Sequence, residues 1–230
     1  MSSTKITRLP EKGVTDRDEL YRLLDDALVA HIGITSDDRT PLAIPTAIAR
    51  DGDGVLVHGS TGSGWMRLAA DGRPACVTVT ELGGIIVARS AFESSMRYRS
   101  AVLFGSFTRL ADDEVERALD LLTDHLIPGR AAEVRRPTRK ELAATMVLRL
   151  PLTDWSLKVS AGWPEDTPAD IDGDTWAGVV PLRPAYAGPL PAPDLRQGIP
   201  VPPSVRSLIA NDQMLRNLVS TGVMTERLSG

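Results

Sequence analysis

One short stretch constrains this chain more than any other. An apolar segment of strand length, Val55-Leu56-Val57, runs through His58 into Gly59-Ser60-Thr61-Gly62-Ser63-Gly64 and opens an amphipathic segment, Trp65-Met66-Arg67-Leu68. A loop of Gly, Ser and Thr between a strand and a helix can bring backbone N–H groups and hydroxyls close to a phosphate, and the helix N-terminus adds a favourable dipole. A basic pair, Arg97 and Arg99, follows later and opens another strand. Residues i and i+2 share a strand face, so the pair can meet one anion. Together these elements read as a site for a phosphate-bearing cofactor.

What surrounds the stretch bounds the rest. With 230 residues the chain can bury a full core, as one domain with an extension or as two. A net charge of −4 argues against general nucleic-acid binding, which needs a basic face. The single cysteine, Cys76, excludes an intrachain disulfide and fits a reducing compartment. No window has transmembrane length, and Met1 to Pro10 has no apolar signal core, so a cytoplasmic location is expected.

Taken in order, Met1 to Gly13 reads as an irregular arm. Thr15 or Asp16 caps a helix running to about Ala30, with Leu20, Leu23, Leu24, Ala27 and Leu28 as its apolar stripe. His31 to Thr35 and Leu42 to Ala49 read as strands. Pro45 requires an edge or a bulge in the second, because it cannot donate to a ladder. Asp51-Gly52-Asp53-Gly54 turns this strand into Val55-Leu56-Val57. Ala75 to Glu81 alternates, Gly83-Gly84 reads as a turn, and Ile85 to Ala88 follows.

Arg99 to Leu110 reads as one long strand bent at Gly105. Asp112-Asp113-Glu114 starts a helix buried through Val115, Ala118, Leu119, Leu122 and Leu126. Thr138-Arg139-Lys140-Glu141 is a capping box. Met146 to Leu152 and Trp155 to Ser160 are further strands. Six or seven strands joined mostly by hairpins, with helices between them, predict an α+β antiparallel barrel. Eight of the 17 prolines fall between Pro181 and Pro203, which marks an extended arm. Ser204 then caps a last helix through Val205, Leu208, Ile209, Leu215 and Leu218. The domain reading is therefore 1–182 for the barrel and 183–230 for the arm and final helix, packing on its own domain or on a partner subunit.

The order of these features resembles the pyridoxamine 5'-phosphate oxidase-like flavoproteins, in the branch related to nitroimidazole-resistance proteins. The resemblance rests on the Pro-containing strand, His58-Gly59 with the Ser/Gly loop, and Arg97-Tyr98-Arg99-Ser100-Ala101-Val102 leading to Phe104-Gly105. Lys158-Val159 and Trp176-Ala177-Gly178-Val179-Val180-Pro181-Leu182 extend it over roughly Leu20 to Leu182. It implies an FMN-binding split barrel, a homodimer with the flavin in a cleft between subunits, and oxidoreductase activity on a small molecule. By resemblance Ile44, Pro45, Thr46 and Ala47 line the isoalloxazine edge. The loop of Gly59, Ser60, Thr61, Ser63, Gly64 and Trp65 receives the ribityl phosphate. Arg97, Arg99, Ser100 and Trp176 approach the same cleft.

The chain departs from that pattern at Gly64-Trp65, where relatives commonly carry basic residues. Arg67, Arg97 or Arg99 then has to balance the phosphate, or another cofactor takes the place of FMN. His58 reads as a structural histidine or as the catalytic one. Cys76 reads as a small buried hydrophobe, and Trp65 and Trp176 as core packing or as cover for a flavin. His31 and His125 lack metal-site spacing, and no metal is expected. A non-catalytic flavin-binding or storage protein, or one that binds haem or a deazaflavin on this barrel, is the alternative to an enzyme.

Overall fold

The structure is a computed structural model and describes residues 6–210. Among them the elements are β1 (Gly13–Val14), α1 (Arg17–Asp26), β2 (Val29–Thr35), β3 (Pro41–Ala47), β4 (Ala49–Arg50), β5 (Gly54–Ser60), α2 (Gly64–Ala70), β6 (Pro74–Val87), β7 (Ser95–Ser106) and β8 (Thr108–Arg109). α3 (Asp112–Leu126), α4 (Arg139–Ala144), β9 (Thr145–Pro151), β10 (Asp154–Ser160), α5 (Pro168–Ile171) and β11 (Gly178–Pro181) complete them. Every strand pairing is antiparallel. One sheet runs β1-β10-β7-β6-β2-β3, with β11 on β6, and the other runs β4-β5-β9-β8. The expected α+β antiparallel split-barrel architecture holds, as two sheets joined where β3 runs on into β4 and β7 into β8.

The described residues form two compact units, 6–122 with 137–183 and 123–136 with 184–210. In the first, the main core lies between the sheets and includes Leu23, Ile32, Val57, Val77, Leu103 and Leu148. A second apolar cluster packs Leu56 and Val147 against Val115, Ala118 and Leu122 of α3. In the second unit, Glu133 accepts hydrogen bonds from the Ser204 amide, at 2.9 Å, and its hydroxyl, at 2.5 Å. Residues 203–210 are helical and begin at Pro203, and the Arg206 amide bonds the Pro202 carbonyl. Ser204 therefore lies inside the helix and does not cap it. Leu215 and Leu218 fall outside the described residues.

Several boundaries differ from the sequence expectation for physical reasons. α1 is capped by Asp16, which accepts from the Asp18 amide, and it stops at Asp26. Asp25 and Asp26 lie at its negative end, where acids are unfavourable. Leu28 falls past the helix and is exposed. Gly83-Gly84 is no turn. β6 runs straight through as a 14-residue strand with a register shift between Leu82 and Gly84, so the glycines make a bulge. A Cβ on Gly84 would lie 2.8 Å from the Val180 carbonyl oxygen, which is why β11 can dock there only on glycine. The expected strand from Arg99 to Leu110 is two strands. The chain leaves the first sheet after Ser106, buries Phe107, and enters the second as β8. The Leu42–Ala49 strand likewise splits at buried Ile48 into β3 and β4, one in each sheet. β3 is the edge of its sheet, as Pro45 requires.

Candidate functional site

β5 carries two faces. Val55 and Val57 point into the main core, while Leu56 faces the α3 cluster. Alternation puts His58 on the Leu56 side and Gly59 on the other. A Cβ on Gly59 would sit 3.0 Å from Cγ of Met66, a fully buried residue of α2 that packs beneath it, so a larger residue there makes Met66 shift.

His58 is half-buried, and its Nδ1 is buried with no hydrogen-bond partner among the described residues. Burial pushes its pKa below the ordinary histidine value, so the ring is held neutral. A neutral imidazole with an uncommitted buried nitrogen can accept a hydrogen bond or ligate a metal through that atom.

Beyond His58 the loop turns tightly. The Gly62 amide bonds the Ser60 hydroxyl at 3.1 Å, and the Ser63 amide bonds the Ser60 carbonyl at 2.9 Å. Ser60 pairs with Thr145 at the start of β9. The Thr61 amide, at 3.0 Å, and the Thr61 hydroxyl, at 3.4 Å, both donate to the Ala144 carbonyl at the end of α4. Ser63 occupies the N-cap position of α2 without making a side-chain cap bond. A Cβ on Gly64 would meet nothing within 4 Å. The loop therefore presents an unused hydroxyl and open space, and its own backbone fold needs no ligand to hold it.

The basic pair on β7 is in a different condition. Arg99 donates to Asp26 at 2.6 Å and to Glu81, and lies 3.6 Å from Glu19. Three carboxylates therefore surround one guanidinium; burial lowers its pKa, and the hydrogen bonds and charges of Asp26 and Glu81 outweigh burial and raise it. Arg97 donates through Nε to the Gly162 carbonyl at 2.9 Å and lies over the Trp163 ring at 5.0 Å. Each member of the pair thus has its own protein partner.

Ser100 shares a 3.1 Å hydroxyl contact with Thr80. β7 is separated from the edge strand β3 by β6 and β2, about 14 Å at the usual strand spacing. β3, which carries Ile44, Pro45, Thr46 and Ala47, by contrast contacts β5, and Ile44 packs partly buried against the main core. Trp65 packs partly buried against the main core. Trp176 is 65% exposed, lies before β11, and covers Gly178. Arg67, in the last turn of α2, is exposed. Cys76 is partly buried with its sulfur against Gly33. Among the described residues no group of three or more His, Cys, Asp or Glu could hold a metal ion, and no helix is long and apolar enough to cross a membrane.

Sequence reasoning missed α4 as a wall of the loop. The capping box at Thr138 locates the helix, but nothing local says that β9 pairs with β5. That pairing is what brings Ala144 to Thr61.

Residues 16–159 match the family model described as pyridoxamine 5'-phosphate oxidase. Among solved structures, the chain is 52% identical to the FAD and heme binding protein from Mycobacterium smegmatis, with a TM-score of 0.84 over 86% of this chain and 97% of that one. It is 30% identical to the flavocytochrome Anf3 from Azotobacter vinelandii, with a TM-score of 0.84 over 89% and 95%. A Bacteroides thetaiotaomicron protein described as one of 5-nitroimidazole antibiotic resistance is similar in fold, at 20% identity and a TM-score of 0.55 over 64% and 86%. No curated protein matches the chain.

Proposed function

The chain belongs to the pyridoxamine 5'-phosphate oxidase family, and from that premise we propose a flavin-dependent oxidoreductase whose flavin is FAD. The observation that carries this reading is the β5–α2 loop. It has an unused Ser63 hydroxyl and open space at Gly64, and β5, which leads into it, contacts β3 (Pro41–Ala47), whose outer edge has no strand partner among the described residues. The 52% identical relative, named as an FAD and heme binding protein, supports the choice of FAD. FMN is the nucleotide expected from the sequence. Its phosphate concentrates two charges on one group, whereas FAD spreads the same two charges over two linked phosphates and so asks less of any one point in a loop without a cation.

The bound flavin would supply the electron transfer. The chain's own part is to hold the phosphates at Ser60 to Ser63, to line the ring edge with Ile44 to Ala47, and to offer the neutral His58 nitrogen as a proton acceptor. The same reading takes the protein as a homodimer, which would cover the exposed Val29, Leu82, Ile85 and Met96. Light scattering checks that state.

The test is the absorption spectrum of the purified protein, with mass identification of what heat releases. Flavin bands and released FAD are expected, with bleaching by a reduced nicotinamide. Released FMN would correct the nucleotide. Flavin that no donor reduces would favour a storage protein, and absence of any flavin, with none taken up on titration, would overturn the reading.

A second reading adds haem. It is favoured by the buried, unpartnered nitrogen of His58 and by the two relatives named for haem or as a flavocytochrome. His58 would ligate the iron, and His58→Ala would then lose a haem Soret band that the parent shows.

A further inference from the structure

The loop that the flavin reading assigns to the phosphates carries no charge from Gly59 to Met66. The two β7 arginines are engaged elsewhere, Arg99 by Asp26, Glu81 and Glu19 and Arg97 by Gly162 and Trp163. An anion in a neutral loop still attracts a counter-charge, because charge-assisted bonds are about twice as strong as neutral ones. The first cation after the loop is Arg67, and it stands in α2, the helix into which the loop runs.

Helix spacing settles which way Arg67 faces. Its amide bonds the Ser63 carbonyl at 3.2 Å, so the two residues lie one turn apart on one side of the helix. Gly64 stands three residues before Arg67, on the same side. Residues at these spacings are neighbours about 5–6 Å apart, and a helical Cα–Cβ bond tilts towards the N-terminus. Arg67 therefore leans back towards Ser63, whose hydroxyl makes no cap bond, and towards the space that Gly64 leaves open. Met66 and Ala69, both fully buried, hold the opposite side of α2 inward. Gly64 and Arg67 are exposed, and no hydrogen bond or ion pair engages the Arg67 guanidinium among the described residues. The nearest acid in sequence, Asp71, is the C-cap at the other end of α2 and makes no ion pair with it.

We infer that Arg67 supplies the counter-charge for the flavin's phosphates and so selects phosphate-bearing flavins over riboflavin. This rests on the flavin reading and deepens it. Of the three arginines that the sequence offers for this role, Arg67 is the one whose guanidinium the fold leaves uncommitted. The bare position at Gly64 belongs to the same arrangement, since a side chain there would stand beside the guanidinium on the side facing the loop. The charge comes from a side chain on the flank of α2, so the backbone of a seven-residue helix does not have to supply it. Arg67 acts as a binding residue and takes no part in electron transfer. It also makes FAD binding dependent on salt, since an exposed charge is screened within about 10 Å at 0.1 M ionic strength.

The experiment titrates cofactor-stripped protein with FAD and with riboflavin, which has no phosphate, for the parent, Arg67→Gln, Arg67→Lys and Arg22→Gln. The last removes one charge from α1, where Arg22 pairs with Glu19. Circular dichroism checks folding. Arg67→Gln should weaken FAD at least about tenfold, leave riboflavin unchanged and flatten the salt dependence. Arg67→Lys keeps the charge and should fall less, and Arg22→Gln should keep the parental FAD affinity. Parental FAD affinity in Arg67→Gln would overturn the inference while leaving the flavin reading intact. An equal loss of FAD and riboflavin in Arg67→Gln would show a structural effect and overturn it as well, as would the same loss of FAD in Arg22→Gln, which would reduce the effect to net charge. Failure of the parent to bind either flavin would overturn both the inference and the flavin reading.

Discussion

Arg99 on β7 reaches three carboxylates drawn from α1 and β6, whereas the loop from Ser60 to Ser63 turns on its own backbone and one hydroxyl and leaves Ser63 unused. In the sequence the two regions look alike, each an apparent half of one phosphate site. In the fold they do opposite work. β7 is an interior strand, flanked by β6 and β10, and its Arg99 is neutralised within the protein by carboxylates from β6 and α1. The loop sits where a strand ends and a helix begins, tied to the rest of the fold through Thr61 and the Ala144 carbonyl, and leaves the Gly64 side open. Positive charge in a sequence and positive charge available to a ligand are different quantities, and position in the sheet decides between them.

The difference breaks most visibly at Arg99. Its side chain is 22% exposed, between the surface and buried limits for ion pairs. Arg99→Ala should destabilise the fold by about 1–3 kcal/mol, because Glu81, Asp26 and Glu19 lose their shared partner. Urea denaturation measures this. Parental stability would mean that β7 does not depend on the network.

His58 gives a pH test of the open region. Its pKa in the folded protein is depressed by burial, so the unfolded chain takes up a proton as pH falls below about 6.5 while the folded ring resists it. The His58 contribution is therefore present above that pH and is lost progressively as pH falls towards the folded pKa. Stability should drop between pH 7.5 and 5.5, and His58→Gln should drop less over the same interval. Identical slopes would place His58 in an environment no different from water.

Gly64 separates stability from binding. Its Cβ would meet no atom, so Gly64→Ala should leave the fold unchanged or raise its stability by about 0.4–1 kcal/mol through the unfolded chain. The added methyl enters the space assigned to the flavin, so FAD affinity should fall. Thermal denaturation and flavin titration on one sample read both.

Much of the fold was legible in local signals. The capping box at Thr138, the α3 stripe, the Asp51–Gly54 turn and the edge position demanded by Pro45 all follow from residues near one another in sequence. What failed was what long-range pairing decides. Gly83-Gly84 has turn composition, but β7 pairs along the whole of β6 and holds it extended through a bulge. Phe107 and Ile48 are apolar residues inside apparent strands, and only the presence of two sheets turns them into crossing points. The site was legible in the same proportion. The loop could be read from its glycines and hydroxyls. The carboxylates around Arg99 and the wall formed by α4 come from distant segments that no local pattern announces.

The most direct test of the contrast is the affinity of cofactor-stripped Arg97→Gln for FAD, set against its affinity for riboflavin and against the parent protein. Arg97 already has a carbonyl and an indole ring as partners. If β7 serves the fold and the loop serves the ligand, the ratio of FAD to riboflavin affinity will equal that of the parent. A fall in that ratio of about tenfold or more would place the phosphate at β7 and contradict the assignment of the flavin to the loop.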